Sequence, residues 1–91
     1  MDGEQALETP RRRDGLHVRE IDGETVILDP GSERMHTLNL TAAFVFQAID
    51  GKRTIEQVSA QVADHFDVDP AVAQHDTLEV VRQFRELGLL V

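Results

Sequence analysis

The chain has 91 residues and no cysteine, and its 17 acidic side chains outweigh 9 basic ones to give a formal net charge of −8. A chain of this length builds one modest hydrophobic core, and the lack of cysteine excludes disulfides, thiolate zinc ligands and a cysteine nucleophile. The negative charge opposes binding to nucleic acids, whose phosphates draw affinity from Lys and Arg. No apolar run approaches the roughly 20 residues of a membrane span, and the acidic amino terminus lacks a signal-peptide pattern. We therefore expect a cytoplasmic protein with no nucleic-acid or membrane partner.

The amino-terminal segment differs in composition from the rest of the chain. Residues 1–14 are mostly polar and show no hydrophobic period, which predicts a mobile tail ahead of one domain of residues 15–91. The run Arg11–Arg13 is the only basic cluster, and in this setting it is typical of a solvated segment.

Three short extended segments open the predicted domain. Their β-branched and apolar residues alternate in part with polar ones, as in half-buried strands. Asp22-Gly23 is a dipeptide preferred in two-residue hairpin turns, and Pro30 marks a second turn. The segments are residues 16–21, 24–28 and 33–38. They predict a three-stranded antiparallel sheet.

The hydrophobic period then changes from 2 to 3.6, which indicates helices. Three helices are predicted, over residues 40–49, 55–66 and 70–87. Each follows a residue that can accept hydrogen bonds from the free N–H groups of a first helical turn: Asn39, Thr54 and Asp69. The final apolar residues, 89–91, are expected to pack back on the core.

Sequence motifs for catalysis are missing from the chain. There is no glycine-rich phosphate loop, no nucleophile elbow and no zinc-protease motif. The four histidines are spread one to an element, without the spacing of a zinc site. We therefore expect no enzymatic activity, no metal and no cofactor.

An interaction surface is the remaining kind of site that the pattern suggests. The third strand is a candidate edge strand, and such an edge offers unpaired N–H and C=O groups to another chain. If the third helix lies beside it, one flank of that helix would complete a groove with Leu78, Arg82 and Arg85. The alternative is an ordinary surface in which Arg82 and Arg85 pair with Glu79 and Glu86.

The order and spacing of these segments resemble the PqqD-like family, the recognition elements of ribosomally synthesised and post-translationally modified peptides (RiPPs). The resemblance covers residues 16–91 and rests on the hairpin Asp22-Gly23-Glu24 with Val26-Ile27-Leu28, on His36-Thr37-Leu38-Asn39 with Thr41-Ala42-Ala43, on Ile49-Asp50-Gly51, on Thr54-Ile55-Glu56-Gln57-Val58, and on Asp76, Val80-Val81, Phe84 and Gly88-Leu89. It implies an α+β winged helix-turn-helix, with a three-stranded antiparallel sheet followed by three helices.

The resemblance also implies a function and its residues. Members of this family bind the leader region of a precursor peptide, which adds as a strand beside the third strand and packs on the third helix. They present the peptide to a modifying enzyme such as a radical SAM protein, a cyclodehydratase or a leader peptidase. The corresponding positions here are Arg34, Met35, His36 and Thr37 on the strand, and Leu78, Val81, Arg82 and Arg85 on the helix. Pyrroloquinoline quinone, lasso-peptide and other maturation pathways all fit this description.

Two other interpretations of the same architecture stay open. A winged-helix transcription regulator would place a recognition helix in the major groove of DNA, against which the net charge of −8 argues. A scaffold protein would pair its strand edge with a second copy across a two-fold axis. We expect a monomer, with a strand-edge dimer as the alternative.

Overall fold

The computed structural model describes residues 3–91. Over this part of the chain the elements are α1 (Gly3–Ala6), β1 (His17–Ile21), β2 (Glu24–Asp29), β3 (Arg34–Leu38), α2 (Leu40–Ala48), α3 (Ile55–Phe66) and α4 (Pro70–Glu86). The three strands form one antiparallel sheet in the order β1-β2-β3. The predicted α+β class, a three-stranded sheet followed by three long helices, is confirmed, and α1 is an additional short helix.

The first hairpin turn has the backbone that its sequence requires. Asp22 and Gly23 both have positive φ angles, of 52° and 81°, as a type I′ turn demands, and Ile21 pairs directly with Glu24 across it. In the second turn the left-handed residue is Glu33, with a φ of 57°.

The helices begin where local side-chain to main-chain bonds fix their ends. The Asn39 side chain accepts a hydrogen bond of 2.8 Å from the N–H of Ala42 and starts α2. Thr54 and Gln57 exchange bonds of 2.9 and 3.1 Å in a capping box at the start of α3. The Asp69 side chain accepts a hydrogen bond of 2.8 Å from the N–H of Ala71 and starts α4. All three predicted caps are confirmed.

The core lies between one face of the sheet and the three long helices. Ile27 comes from the sheet, and Phe46 of α2 meets Phe84 of α4 edge-on, with 5.4 Å between ring centroids. Leu89 is completely buried and Leu90 nearly so, as expected, whereas Val91, which was also expected to pack on the core, is 83% exposed. Burial of these apolar side chains stabilises the packing of helices on sheet.

The amino-terminal segment is more closely attached than the sequence predicts. The N–H of Ile55 donates to the C=O of Glu8 at 2.9 Å, and the N–H of Gly51 donates to the C=O of Pro10 at 3.0 Å. Residues 11–13 then pair with the carboxyl-terminal residues around Leu90. These residues satisfy free N–H groups near the start of α3, so the expected tail is part of the packed structure from residue 8 onward. Met1 and Asp2 lie outside the described residues.

Candidate functional site

The hydrogen-bond pattern of the sheet follows from its first hairpin. Ile21 and Glu24 flank a two-residue turn and therefore form a hydrogen-bonded pair. Bonded and non-bonded pairs alternate along an antiparallel ladder. Residues of β2 at odd numbers, Ile27 among them, consequently direct their main-chain N–H and C=O groups toward β3.

The same alternation determines which main-chain groups of β3 are free. Ile27 lies opposite His36 in the register of β2 and β3, so His36 bonds to β2. Its neighbours Met35 and Thr37 face the other way, toward the open edge, because β3 has no strand on its outer side. Two N–H and two C=O groups at this edge are therefore available to an additional strand.

The opposite edge of the sheet is less available. By the same alternation, Val18 and Glu20 of β1 direct their main-chain groups outward. There the guanidinium of Arg19 donates a hydrogen bond of 3.1 Å to the C=O of Val18. A charged side chain lying over an edge is a common way to block strand addition, so β3 is the more accessible edge.

A groove runs beside the open edge of β3. Its volume is about 330 Å³, and its walls are residues 35–39 on one side and Gln83, Phe84 and Leu87 of α4 on the other. Phe84 is buried, whereas Leu87 is 40% and Met35 63% exposed. The groove thus combines unpaired main-chain groups with apolar side chains, which are the two elements of β-strand recognition.

A second cavity continues this edge toward the start of α2. It has a volume of about 420 Å³ and shares residues 37–39 with the groove. Leu40 is 79% exposed on its border. An exposed apolar side chain therefore lies near each end of the free edge of β3. Met35 borders the first cavity, and Leu40 of α2 borders the second.

The four strand residues predicted for the site divide into two groups. Met35, His36 and Thr37 all border the groove. His36 is half-buried, and its Nε2 atom is buried without a hydrogen-bond partner among the described residues. Arg34 is exposed at the beginning of β3, opposite Asp29, and does not line the groove.

The helix residues predicted for the site do not line the groove. Leu78, Arg82 and Arg85 border a different cavity of about 200 Å³, beside α1. Residues of a helix are about 100° apart, so Leu78 and Leu87, nine positions apart, point in roughly opposite directions. Val81 is 2% exposed and belongs to the core. The structure therefore places this flank of α4 apart from the groove beside β3, and a peptide-binding role for its residues stays a prediction.

The charges on that flank are neutralised within the protein. Arg82 pairs with Glu79 and, at 2.7 Å, with Glu86. The hydrogen bond and charge of Glu79, followed by the charge of Glu86, raise the pKa of Arg82. Arg85 pairs with Glu8 at 2.6 Å. The alternative of ordinary surface pairing holds for Arg82, while Arg85 connects α4 to the amino-terminal segment.

The residues missed by sequence reasoning are those on the other flank of α4. Gln83 and Leu87 lie on the side of the helix that faces β3. The prediction favoured the opposite flank because Arg82 and Arg85 there could complement the charge of an acidic peptide. The sequence signal for Leu87 was an apolar residue in the last turn of the helix, directly before the helix-ending Gly88.

Other kinds of site find no support in the described part of the chain. Residues 3–91 contain no cluster of side chains able to hold a metal ion. The helices among them are too short or too polar to cross a bilayer.

The fold and the groove define a winged helix-turn-helix domain with an accessible strand edge. The family model "Coenzyme PQQ synthesis protein D (PqqD)" matches residues 24–90, and the chain belongs to this family. The predicted resemblance is thereby confirmed.

Two relatives show how the family arranges this domain. The PqqA binding protein of Xanthomonas oryzae pv. oryzae is 32% identical over 89 residues, which are 98% of this chain and 91% of that protein. The bifunctional coenzyme PQQ synthesis protein C/D of Methylorubrum extorquens is 30% identical over 76 residues. That match covers 81% of this chain and 20% of the bifunctional protein, so the domain also occurs within a much longer chain.

Two solved structures are similar to this fold. A lasso peptide synthetase B1 complexed with its leader peptide has a TM-score of 0.79 at 25% identity, covering 91% of this chain and 98% of that one. The PqqD truncation of Methylobacterium extorquens PqqCD, a stand-alone RiPP recognition element, has a TM-score of 0.76 at 25% identity and covers 99% of both chains.

Proposed function

We propose that this protein binds the leader region of a ribosomally made precursor peptide by accepting it as a fourth strand beside β3. The observation that carries the proposal is the free edge at Met35 and Thr37, which directs main-chain groups outward next to a groove with both polar and apolar lining. The similar lasso peptide synthetase B1 is complexed with a leader peptide, and a relative is a PqqA binding protein. Both support the same class of ligand for this domain.

The geometry of the edge suggests the character of the peptide. Side chains of an added strand alternate between its two faces. Those on one face would enter the groove between β3 and α4 and contact Leu87. Those on the other face would lie beside Met35 and Thr37. Main-chain bonds would supply sequence-independent affinity, and the groove would select apolar side chains at alternate positions.

A role in presenting the peptide to an enzyme follows from the same arrangement. A leader held at the sheet edge leaves the rest of the precursor free to enter another protein's active site. The protein itself would be a non-catalytic peptide chaperone. The family resemblance suggests a radical SAM protein, a cyclodehydratase or a leader peptidase as the enzyme.

The DNA-binding alternative has little support from the sequence of α3. Its sequence, IEQVSAQVADHF, contains no Lys or Arg. A recognition helix without basic residues would have no side chain to neutralise DNA phosphates.

A substitution at the edge tests strand addition. Thr37→Pro removes the N–H that faces outward but none that bonds to β2, a location where proline is tolerated in sheets. Thr37→Val is the matched control, because it keeps that N–H. With fluorescein-labelled PqqA peptide and lasso leader peptide, we expect Thr37→Pro to weaken binding about tenfold or more through the lost bond and the bulk of the ring.

The Thr37→Val control separates the loss of the main-chain N–H from the loss of the threonine side chain. Thr37→Val should bind within about twofold of the wild type, because its main-chain bonds are unchanged. Circular dichroism of both variants would check that the fold is kept. Equal affinity of the proline and valine variants would exclude strand addition at Thr37, and no binding of either peptide to the wild type would contradict the proposed ligand class.

A further inference from the structure

A second candidate site lies beside β1, at the sheet edge opposite the groove. It is a cavity of about 390 Å³, which we call the arginine pocket. Its lining includes Arg11, Arg12, Arg13, Leu16, Val18 and Phe46. The match to the family model begins at residue 24. The three arginines therefore lie outside the matched segment, whereas Phe46 lies within it.

Two arginines of this pocket pack against the protein without an acidic partner among the described residues, Arg12 through its guanidinium and Arg11 through its aliphatic stem. The centre of the Arg12 guanidinium lies 5.5 Å from the centroid of the Phe46 ring, a favourable cation–π distance. The Arg11 side chain packs over Gly51, where a Cβ atom would lie 3.5 Å from Arg11 Cγ. Both arginines are exposed, and among the described residues neither forms an ion pair.

The main chain that carries these side chains is also held. The C=O of Arg11 accepts a hydrogen bond of 2.8 Å from the N–H of Val91, and the N–H of Arg13 donates to the C=O of Leu89 at 3.0 Å. A preorganised backbone reduces the conformational entropy that binding would otherwise cost. The Arg12 guanidinium and the backbone and stem of Arg11 are thus positioned in advance of any ligand.

The local charge is opposite in sign to that of the whole protein. The basic residues that line the pocket or pair with a residue at its border are Arg11, Arg12, Arg13 and Arg53, and the acidic ones are Asp14, Asp29 and Asp50. Four positive charges against three negative leave a local excess of one, whereas the whole chain carries −8. Asp29 and Asp50 are already engaged, by Arg13 and by the N–H groups of Lys52 and Arg53 respectively.

We propose that the arginine pocket binds a carboxylate-rich segment of a protein partner. Arg11 and Arg12 would bind carboxylates through paired N–H donors, and the half-buried Leu16 and Val18 would contact a neighbouring apolar side chain. A nucleic acid is disfavoured, because the net charge of −8 repels a long phosphate backbone. An acidic protein segment needs to approach only this locally positive surface.

The position of the pocket suggests what the partner does. The pocket lies at β1 and the groove at β3, on opposite edges of one sheet, so both sites can be occupied together. The partner would then be the enzyme that modifies the bound peptide. This assignment of the partner rests on the proposed function, whereas the carboxylate binding does not.

Titration with a hexaglutamate peptide, followed by the amide NMR spectrum of the full chain, tests the pocket. We expect saturable shifts at residues 11–16 and at Phe46. The double substitution Arg11→Gln with Arg12→Gln should weaken binding about tenfold or more, since two charge-assisted contacts are lost. The control, Arg82→Gln with Arg85→Gln, changes the net charge equally and should bind within about twofold of the wild type. Equal weakening in both variants would overturn the proposal.

Two further measurements test the arginine pocket without relying on the double substitution of Arg11 and Arg12. Arg12→Lys keeps the charge but loses the planar donor pair, and it should weaken binding about threefold. An unchanged affinity would overturn the role of the guanidinium. Inorganic phosphate and hexathymidylate serve as competing anions, and tighter binding of either than of hexaglutamate would overturn the assignment to an acidic protein segment.

Adding PqqA peptide separates this proposal from the proposed function. If both hold, the peptide shifts Met35 and Thr37 while hexaglutamate still shifts residues 11–16. Displacement of hexaglutamate by PqqA peptide would overturn a separate site. Absence of shifts at Met35 and Thr37, with hexaglutamate binding intact, would contradict the peptide groove alone.

Discussion

Ile27 of β2 lies directly opposite His36 of β3 as a hydrogen-bonded pair, and this one pairing determines which residues face the open edge of the sheet. A shift of the register by one residue would turn Met35 and Thr37 inward and present His36 instead. The two-residue turn at Asp22 and Gly23 fixes the register of the first hairpin and thereby which residues of β2 bond toward β3. The turn over residues 30–33 then sets the register of β3 on β2.

Amide hydrogen exchange measures which main-chain N–H groups of β3 are hydrogen-bonded. In the free protein the amides of Met35 and Thr37 should exchange faster than those of His36 and Leu38, which bond to β2. Addition of a leader peptide should slow Met35 and Thr37 selectively. NMR-detected exchange with and without peptide is the measurement. Protection that rises with protein concentration in the absence of peptide would instead support the strand-edge dimer.

The two flanks of α4 should respond differently to substitution. Leu87→Glu places a charge in the apolar wall of the groove and should weaken leader-peptide binding about tenfold or more. The double reversal Arg82→Glu with Arg85→Glu, on the flank away from β3, should change affinity by no more than about twofold. Fluorescence polarisation measures both. The opposite ranking would restore the flank with Leu78 as the binding surface.

Acid should destabilise the protein partly through Asp29. The hydroxyl of Ser32, which donates a hydrogen bond of 2.8 Å, and secondarily the guanidinium of Arg13 hold the pKa of Asp29 below its usual value of 3.8. Because the folded pKa lies below the unfolded one, this stabilisation is present above about pH 4 and is lost as pH falls through the folded pKa.

The substitution Asp29→Asn tests that contribution. It should lower the stability at neutral pH and flatten the loss of stability between about pH 4 and pH 2. Urea unfolding across this range is the measurement. The control is Asp64→Asn on the exposed side of α3, which removes the same charge without touching Arg13 or Ser32. Identical pH profiles for the wild type and Asp29→Asn would rule out the proposed role of Asp29.

Removal of residues 1–14 should destabilise the domain. It eliminates four main-chain hydrogen bonds, made by the pairs Ile55–Glu8, Gly51–Pro10, Arg13–Leu89 and Val91–Arg11. At about 0.5–1.5 kcal/mol each, their loss should lower the free energy of unfolding by about 2–6 kcal/mol. Urea denaturation measures it. A control deletion of residues 1–4 keeps all four bonds and should cost much less, and equal stability of the longer deletion would restore the idea of an independent tail.

Most of the secondary structure was predictable because it depends on interactions between near neighbours. Asn39 reaches the N–H of Ala42, and Thr54 and Gln57 bond each other, within three residues along the chain. Asp22-Gly23 is one of few dipeptides that readily accept two positive φ angles. These caps and turns are stabilised by residues within a few positions of one another, so the elements and their order follow from local sequence.

The sheet edge of the site was predictable for a similar reason, and the helix wall was not. A meander of three strands leaves β3 at an edge in any arrangement that pairs consecutive strands. An amphipathic helix, however, has two flanks beside its core face, and its own sequence does not state which of them approaches the sheet. Charge favoured the flank with Arg82 and Arg85, whereas packing of α4 placed Leu87 beside β3.

The sequence by itself thus determined the caps, the turns, the α+β order of elements and the position of β3 at an edge of the sheet, since these depend on residues close together in the chain. Only the tertiary structure decided which face of α4 lines the groove and how residues 8–13 attach to the domain. The first depends on the rotation of a helix about its axis during packing, and the second on main-chain bonds that almost any side chains would permit.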